Sequence, residues 1–280
     1  MRKLLVIAAV LIATAGQAQI ADGDAEWAKR AEGHEGGHAK AAHADAAIAA
    51  YQKAVAQNPN DLEARWKLLR TIRFKGAYVA QSNEDKKKIY ADAKKEGDAA
   101  MAVVNKLLTE RGIQNAAKAP EKDVAAKAAT IPGANEIYLW DSVNWGEWAI
   151  AYGKMAAVRE GAADRIRREA TIATLIDPKL EGGAPPRVLG RLHDQTPRVP
   201  FITGWASQKE ALKYLNQSLQ IDPANKITRV FLAEAMEGDD KPKAVQMLKE
   251  ILNTPNDPNY EVEQASAVDD ARALLKKWGA

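Results

Sequence analysis

The sequence predicts an all-α fold, in which helical hairpins are stacked as repeats and wrapped around one tryptophan-rich helix. Three observations carry this. Alanine is abundant, and Ala, Leu, Glu and Lys are good helix formers, whereas Val-Ile-Thr runs that make strands are scarce. A small-large-small-proline pattern recurs along the chain at helical spacing. Residues 137–153, which hold three of the seven Trp and two of the seven Tyr, are apolar nearly all round, as a buried helix is.

The chain opens on a secretory leader pattern. Arg2 and Lys3 precede a short apolar run, Leu4 to Ala15, and Gly16-Gln17-Ala18 supplies small residues before a cut. Gln19 is then the first mature residue, and the protein is expected in a bacterial periplasm. An uncleaved anchor is the alternative, although the apolar run is short for a bilayer. The chain has no Cys, so it has neither disulfides nor a lipid-carrying Cys after the leader. Removing Arg2 and Lys3 with the leader lowers the formal charge from +3 to +1. A nearly neutral chain lacks the basic footprint of a nucleic-acid binder.

Residues 19–45 read as a flexible segment rich in Ala, Gly and His, ahead of a single helical domain over 46–280. His34-Glu35-Gly36-Gly37-His38 matches H-E-x-x-H letter for letter. That zinc-protease chemistry needs both His on one helix face, with the Glu activating water. Two glycines between them oppose a helix. A solvated turn is the preferred reading, with no metal and no cofactor assigned.

The repeats begin at Ala46. Ala47, Tyr51, Ala54 and Pro59 lie at offsets 0, 4, 7 and 12. These are the positions where a tetratricopeptide unit admits its partner helix, fills the groove and ends. The offsets recur at Ile166, Ala170, Ala173 and Pro178, and at Ala211, Leu215, Ser218 and Pro223. A fourth set is Ala244, Leu248 and Ile251, with Pro255 one place early. Between the sets, a helix is expected from Leu62 to Lys75, stopped by Gly76. A longer one runs from Ser82, with Glu84 and Asp85 in its first turn, to Leu108. Residues 111–132 read as an Ala-Lys connection. Further helices are expected over 162–175, from the capping box Ser207-Gln208-Lys209-Glu210, over 226–237, 242–252 and 262–278.

Two places could hold a ligand. On the central helix, Trp140, Asn144, Trp148 and Tyr152 share one stripe, and Asp141 and Trp145 the next. Asp141, Asn144 and Glu147 must either pair with neighbouring helices or face a cavity, because a buried unpaired polar group costs about 2–7 kcal/mol. The second place is the irregular stretch 178–205, longer than one repeat allows. Its Arg187, Arg191 and His193 could grip a carboxylate or phosphate, since Arg binds oxyanions with two parallel hydrogen bonds, or could simply pack locally. No phosphate-binding loop, G-x-S-x-G elbow or Cys nucleophile is present, so no catalytic residues are assigned and the chain is not read as an enzyme.

In chain order, Ala64-Arg65-Trp66-Lys67-Leu68-Leu69-Arg70, the aromatic stretch Tyr138 to Trp148, Gly182-Gly183, Arg187 to His193, Pro197 to Phe201 and Phe231-Leu232-Ala233-Glu234 resemble the T-component family of TRAP transporters, tripartite ATP-independent periplasmic uptake systems. The resemblance spans about residues 45–275. It implies an all-helical periplasmic protein with cryptic tetratricopeptide repeats, a solute-binding protein as partner, and a cavity for an apolar or amphipathic small molecule. The absent lipidation Cys departs from the many family members that are lipoproteins. A general periplasmic scaffold without a small-molecule ligand is the alternative, since stacked repeats offer concave surfaces to peptides and helices. The sequence leaves the oligomeric state open, a homo-oligomer included.

Overall fold

Helices start here where a side chain can satisfy the first free N–H groups. Asp61, Ser82, Ser207, Asn225 and Asp240 each accept a hydrogen bond from the backbone N–H three residues on. Each such cap is worth about 1 kcal/mol. The structure, a computed structural model, describes residues 16–200 and 202–280. Most of the expected leader therefore lies outside the described residues.

The chain runs through α1 (16–28), α2 (Ala41–Gln57), α3 (Leu62–Phe74, continued by one π-helical turn, Lys75–Val79), α4 (Asn83–Glu110), α5 (Glu121–Ala128), α6 (Ala134–Tyr152) and the short α7 (Lys154–Arg159). Then follow α8 (Ala162–Ile176), α9 (Leu180–Gln195), α10 (Gln208–Ile221), α11 (Lys226–Met236), α12 (Lys241–Leu252) and α13 (Glu261–Trp278). No strand occurs among the described residues, which hold only an isolated bridge between Glu35 and His38. No described helix is long and apolar enough to cross a membrane.

The repeat offsets fall where close packing needs them. Ala47, Tyr51 and Ala54 are buried on α2, Ile166, Ala170 and Ala173 on α8, Ala211, Leu215 and Ser218 on α10, and Ala244, Leu248 and Ile251 on α12. Each of these helices turns at its Asp-Pro or Asn-Pro segment and pairs with the next helix, so α2, α8, α10 and α12 back onto α3, α9, α11 and α13. The fold is all-α, made of tetratricopeptide-like hairpins.

The second helices of these pairs, with α6, close a circuit. α3 packs on α6, α6 on α9, α9 on α11, α11 on α13, and α13 returns to the π turn that ends α3. The turns that follow α1 seal the joint: Arg30 Nε donates to Glu263 at 3.1 Å, and the Gly37 N–H donates to Asp269 at 3.1 Å. The helices thus form two layers, an inner ring of α3, α6, α9, α11 and α13 and an outer ring that includes α2, α4, α8, α10 and α12.

Three local features differ from expectation. The segment 19–45 is not a loose lead-in. Ile20 and Ala39 are buried, and the Tyr51 hydroxyl donates to Asp24 at 2.8 Å. Gly37 presses so close to α13 that a Cβ there would stand 2.5 Å from Ser266 Cα. Gly76 does not stop α3; its missing side chain admits the Tyr90 ring, which a Cβ would meet at 2.4 Å. The stretch 178–205 is largely helical. Three left-handed residues, Glu181, Gly182 and Gly183, make a turn, and Pro185-Pro186 then occupy the first turn of the helix proper, where a missing N–H costs nothing.

Candidate functional site

The residues singled out in the sequence divide between two places. The first is α6 itself. Asp141 is fully buried and receives Arg165 Nη2 at 2.6 Å; the same guanidinium reaches Asp98 at 2.7 Å and Glu169 at 2.9 Å. Burial, then the adjacent Asp141 carboxylate, pushes Glu169 well above the usual carboxylate range. Burial also raises Asp141, against the pull of Arg165. One oxygen of each acid, Asp141 Oδ1 and Glu169 Oε2, is buried without a hydrogen-bond partner. Asn144 donates to the carbonyls of Leu69 at 3.1 Å and Trp140 at 2.8 Å, tying α6 to α3. Trp145 meets Trp148 edge-on at 5.6 Å, and Trp148 stacks on Tyr152 at 4.8 Å. Arg165 and Lys94 cover Trp145 at 4.6 and 4.5 Å. Trp140 is half-buried against the cluster built on Leu62, Leu69 and Ile137. Asp141, Asn144, Trp145 and Trp148 are thus held in packed contacts between helices.

The second place is the interior of the ring. Val188 and Leu192 of α9 pack against the core cluster that includes Trp145, Trp148 and Ile166, while Arg187 and Arg191, four residues apart, reach Thr228 and Glu234 of α11. Arg191 pairs with Glu234 at 2.7 Å and covers the Phe231 ring at 4.3 Å. Across the ring, Arg73 pairs with Glu147 at 3.0 Å and donates to the Tyr78 hydroxyl at 2.7 Å. Arg30, in the turn after α1, makes a third such pair with Glu263 of α13. These side chains remain about a tenth to a quarter accessible.

Two guanidinium groups stand apart. Arg187 has only long contacts, 3.3 Å to Thr228 Oγ1 and 3.4 Å to the Gly182 carbonyl. Burial, then the nearby Arg73, pushes it down to about 10. Arg70 lies between two indoles, 4.1 Å from the Trp27 ring and 4.9 Å from that of Trp66, and its buried Nε has no partner. Burial lowers it too, and Glu181 is the strongest opposing charge. Neither Arg70 nor Arg187 forms an ion pair with an acid among the described residues. An enclosed charge left in this state is destabilising unless something compensates it. Glu181 is the one non-glycine residue with a left-handed backbone among those described, at φ 48°, and its carboxylate accepts the Tyr260 hydroxyl at 3.3 Å.

His193 lies outside the ring interior. Its Nδ1 accepts the Ser207 N–H at 3.3 Å, and its ring is set between Trp205 and Tyr214. Burial lowers its pKa, so the neutral ring anchors the start of α10. His34 and His38 sit on a tight turn, with His34 Nδ1 2.8 Å from the Gly36 carbonyl, and not on one helix face. No group of three or more potential metal ligands occurs among the described residues.

Arg70, Arg73, Tyr78, Glu181 and Tyr260 were not selected from the sequence. One signal was present: Trp66, Arg70 and Arg73, at i, i+4 and i+7, form a polar-aromatic stripe on a helix otherwise buried through Leu68, Leu69 and Ile72.

No family model and no curated protein matches the chain. Among solved structures it is similar to the crystal structure of the yeast Tom70, at 16% identity and a TM-score of 0.30, with 93% of this chain and 65% of that chain covered, so it spans less than two thirds of that neighbour's length.

Proposed function

We propose that the chain is a non-catalytic periplasmic binding protein, the T-component of a TRAP-type uptake system, which works beside a solute-binding protein and holds a small amphipathic molecule inside its helical ring. The observation that supports this reading is the circuit of helices, whose α3 and α9 carry Arg70 and Arg187, two part-buried guanidinium groups without an ion pair among the described residues. The leader pattern and the ordered motifs support the periplasmic and transport parts. The packed acids Asp141 on α6 and Glu169 on α8 are no general acid-base pair, because Arg165 and tight helix contacts shut them away from any substrate.

A second observation bears on the partner. Where α6 turns into α7, Ile150, Met155 and Val158 are 76, 78 and 58% exposed and adjoin one another in sequence. An apolar corner of this kind suits a protein surface, and we assign it to the solute-binding protein. The general scaffold is the alternative reading, which this corner alone would also serve.

The test is isolation of tagged protein from the native periplasm, followed by mass spectrometry of what accompanies it. Recovery of a solute-binding protein supports the reading. Recovery of unrelated envelope proteins alone supports the scaffold.

A further inference from the structure

Between the turn that carries His34 and Gly36 and the last hairpin lies a cavity of about 380 Å³. Lys226, at the start of α11, and Thr254 and Asn256, in the loop after α12, form part of its wall. One face of α13 forms another part, with Ala265, Val268, Asp269 and Arg272. Lys226 is the unusual member. It is only 2% exposed, yet it forms no ion pair among the described residues. Its ammonium donates to the Thr254 carbonyl and to Asn256 Oδ1, each at 2.7 Å. An ammonium has three donors, so one is left without a partner among the described residues. A cation at the first position of a helix also meets the positive end of the helix dipole. Glu261 opposes the cost of burying Lys226, but it accepts from the far end of the same amide, Asn256 Nδ2 at 3.2 Å, and stays beyond ion-pair distance. The acid on the cavity wall is engaged elsewhere: Asp269 accepts the Gly37 N–H at 3.1 Å and Arg272 at 3.2 Å. Arg272 spends one N–H group there, and its side chain is otherwise largely exposed. Lys226 and Arg272 against Asp269 leave the wall with one positive charge, and Ala265 and Val268 give it an apolar side.

We propose that this cavity binds a small aliphatic monocarboxylate, with its head on Lys226 and Arg272 and its alkyl part against Ala265 and Val268. One excess positive charge calls for one negative charge, which suits a carboxylate better than a phosphate dianion. A buried cation without a counter-charge is destabilising, and a carboxylate beside Lys226 supplies that counter-charge. The volume lies in the range that small-molecule sites occupy. Neither Arg70 nor Arg187 lines the cavity, so this site is separate from the one proposed inside the ring.

Proton NMR of the full chain at fixed pH tests it. The chain has four His, and the His34 ring, assigned by its loss in His34→Gln, reports from the cavity wall. Three probes are titrated: butyrate, its uncharged analogue butyramide, and inorganic phosphate. Butyrate shifts the His34 ring signals saturably, and the other two do so far more weakly. Lys226→Met weakens butyrate by about tenfold or more, the loss of a charge-assisted hydrogen bond. Lys226 also holds the loop after α12, so a second variant is needed. Arg272→Gln, at an exposed side chain, keeps the melting temperature of wild type and weakens butyrate by about threefold or more. Butyramide binding as well as butyrate overturns the inference, as does phosphate binding more tightly. Butyrate affinity unchanged in Arg272→Gln, or no saturable shift at His34, also overturns it. None of these outcomes bears on the accessory role, which the capture of a solute-binding protein tests separately.

Discussion

Asp141 and Gly97 share one space. A Cβ on Gly97 would stand 1.9 Å from Asp141 Oδ1 and 2.9 Å from its Cγ, so the carboxylate occupies the place where a side chain on α4 would begin. The contact brings α4 against α6, and Arg165 reaches the other oxygen of Asp141 at 2.6 Å. Gly97→Ala must push the helices apart or turn the acid away from its guanidinium. We expect a loss of about 1–3 kcal/mol from overpacking, or more if the ion pair breaks. Urea unfolding of the variant checks it; an unchanged midpoint would mean the two helices do not meet as described.

The same cluster sets a pH dependence. Glu169 is raised in the folded state, first by burial and then by Asp141. A carboxyl with a raised folded pKa contributes its full stability below the ordinary value of 4.5 and loses it as pH climbs through the folded value. Glu169→Gln keeps a donor facing Asp141 and has no proton to lose. The wild-type chain should therefore lose stability relative to this variant as pH rises above 4.5. Urea midpoints of both proteins over the pH range above 4.5 decide the matter, and parallel curves would contradict a raised Glu169.

At the α6–α7 corner, Met155 and Val158 make few contacts within the chain, so Asp at both positions should leave the melting temperature close to that of wild type. Recovery of the solute-binding protein from the periplasm should drop sharply. Undiminished recovery with the double variant would move the docking face elsewhere.

The hairpins were legible because close packing writes itself into residue size. Ala47, Ala170, Ala211 and Ala244 can only be small if another helix touches them, and each is fully buried. Capping was legible for a similar reason, since Ser82 and Ser207 advertise a helix start through short-range chemistry. The interior was not. Arg70 and Arg187 are 117 positions apart, and what surrounds each guanidinium is set by helices distant in sequence, Trp27 beside Arg70 and Thr228 beside Arg187. Arg191 and His193 look alike in sequence as possible anion ligands, yet α9 turns one toward Glu234 and the other under the cap of α10. The helical character of 184–195 was hidden by Pro185-Pro186, which mark a helix start as readily as a loop.

Everything said of the interior depends on the joint between α1 and α13. The chain contains no Cys, so Ala25→Cys on α1 and Ala273→Cys on α13, both exposed, can be spin-labelled cleanly. Double electron–electron resonance between them should give one narrow distance distribution, at the separation the closed ring sets. A broad distribution reaching the longer distances of an opened superhelix would contradict the ring, and with it the enclosed site.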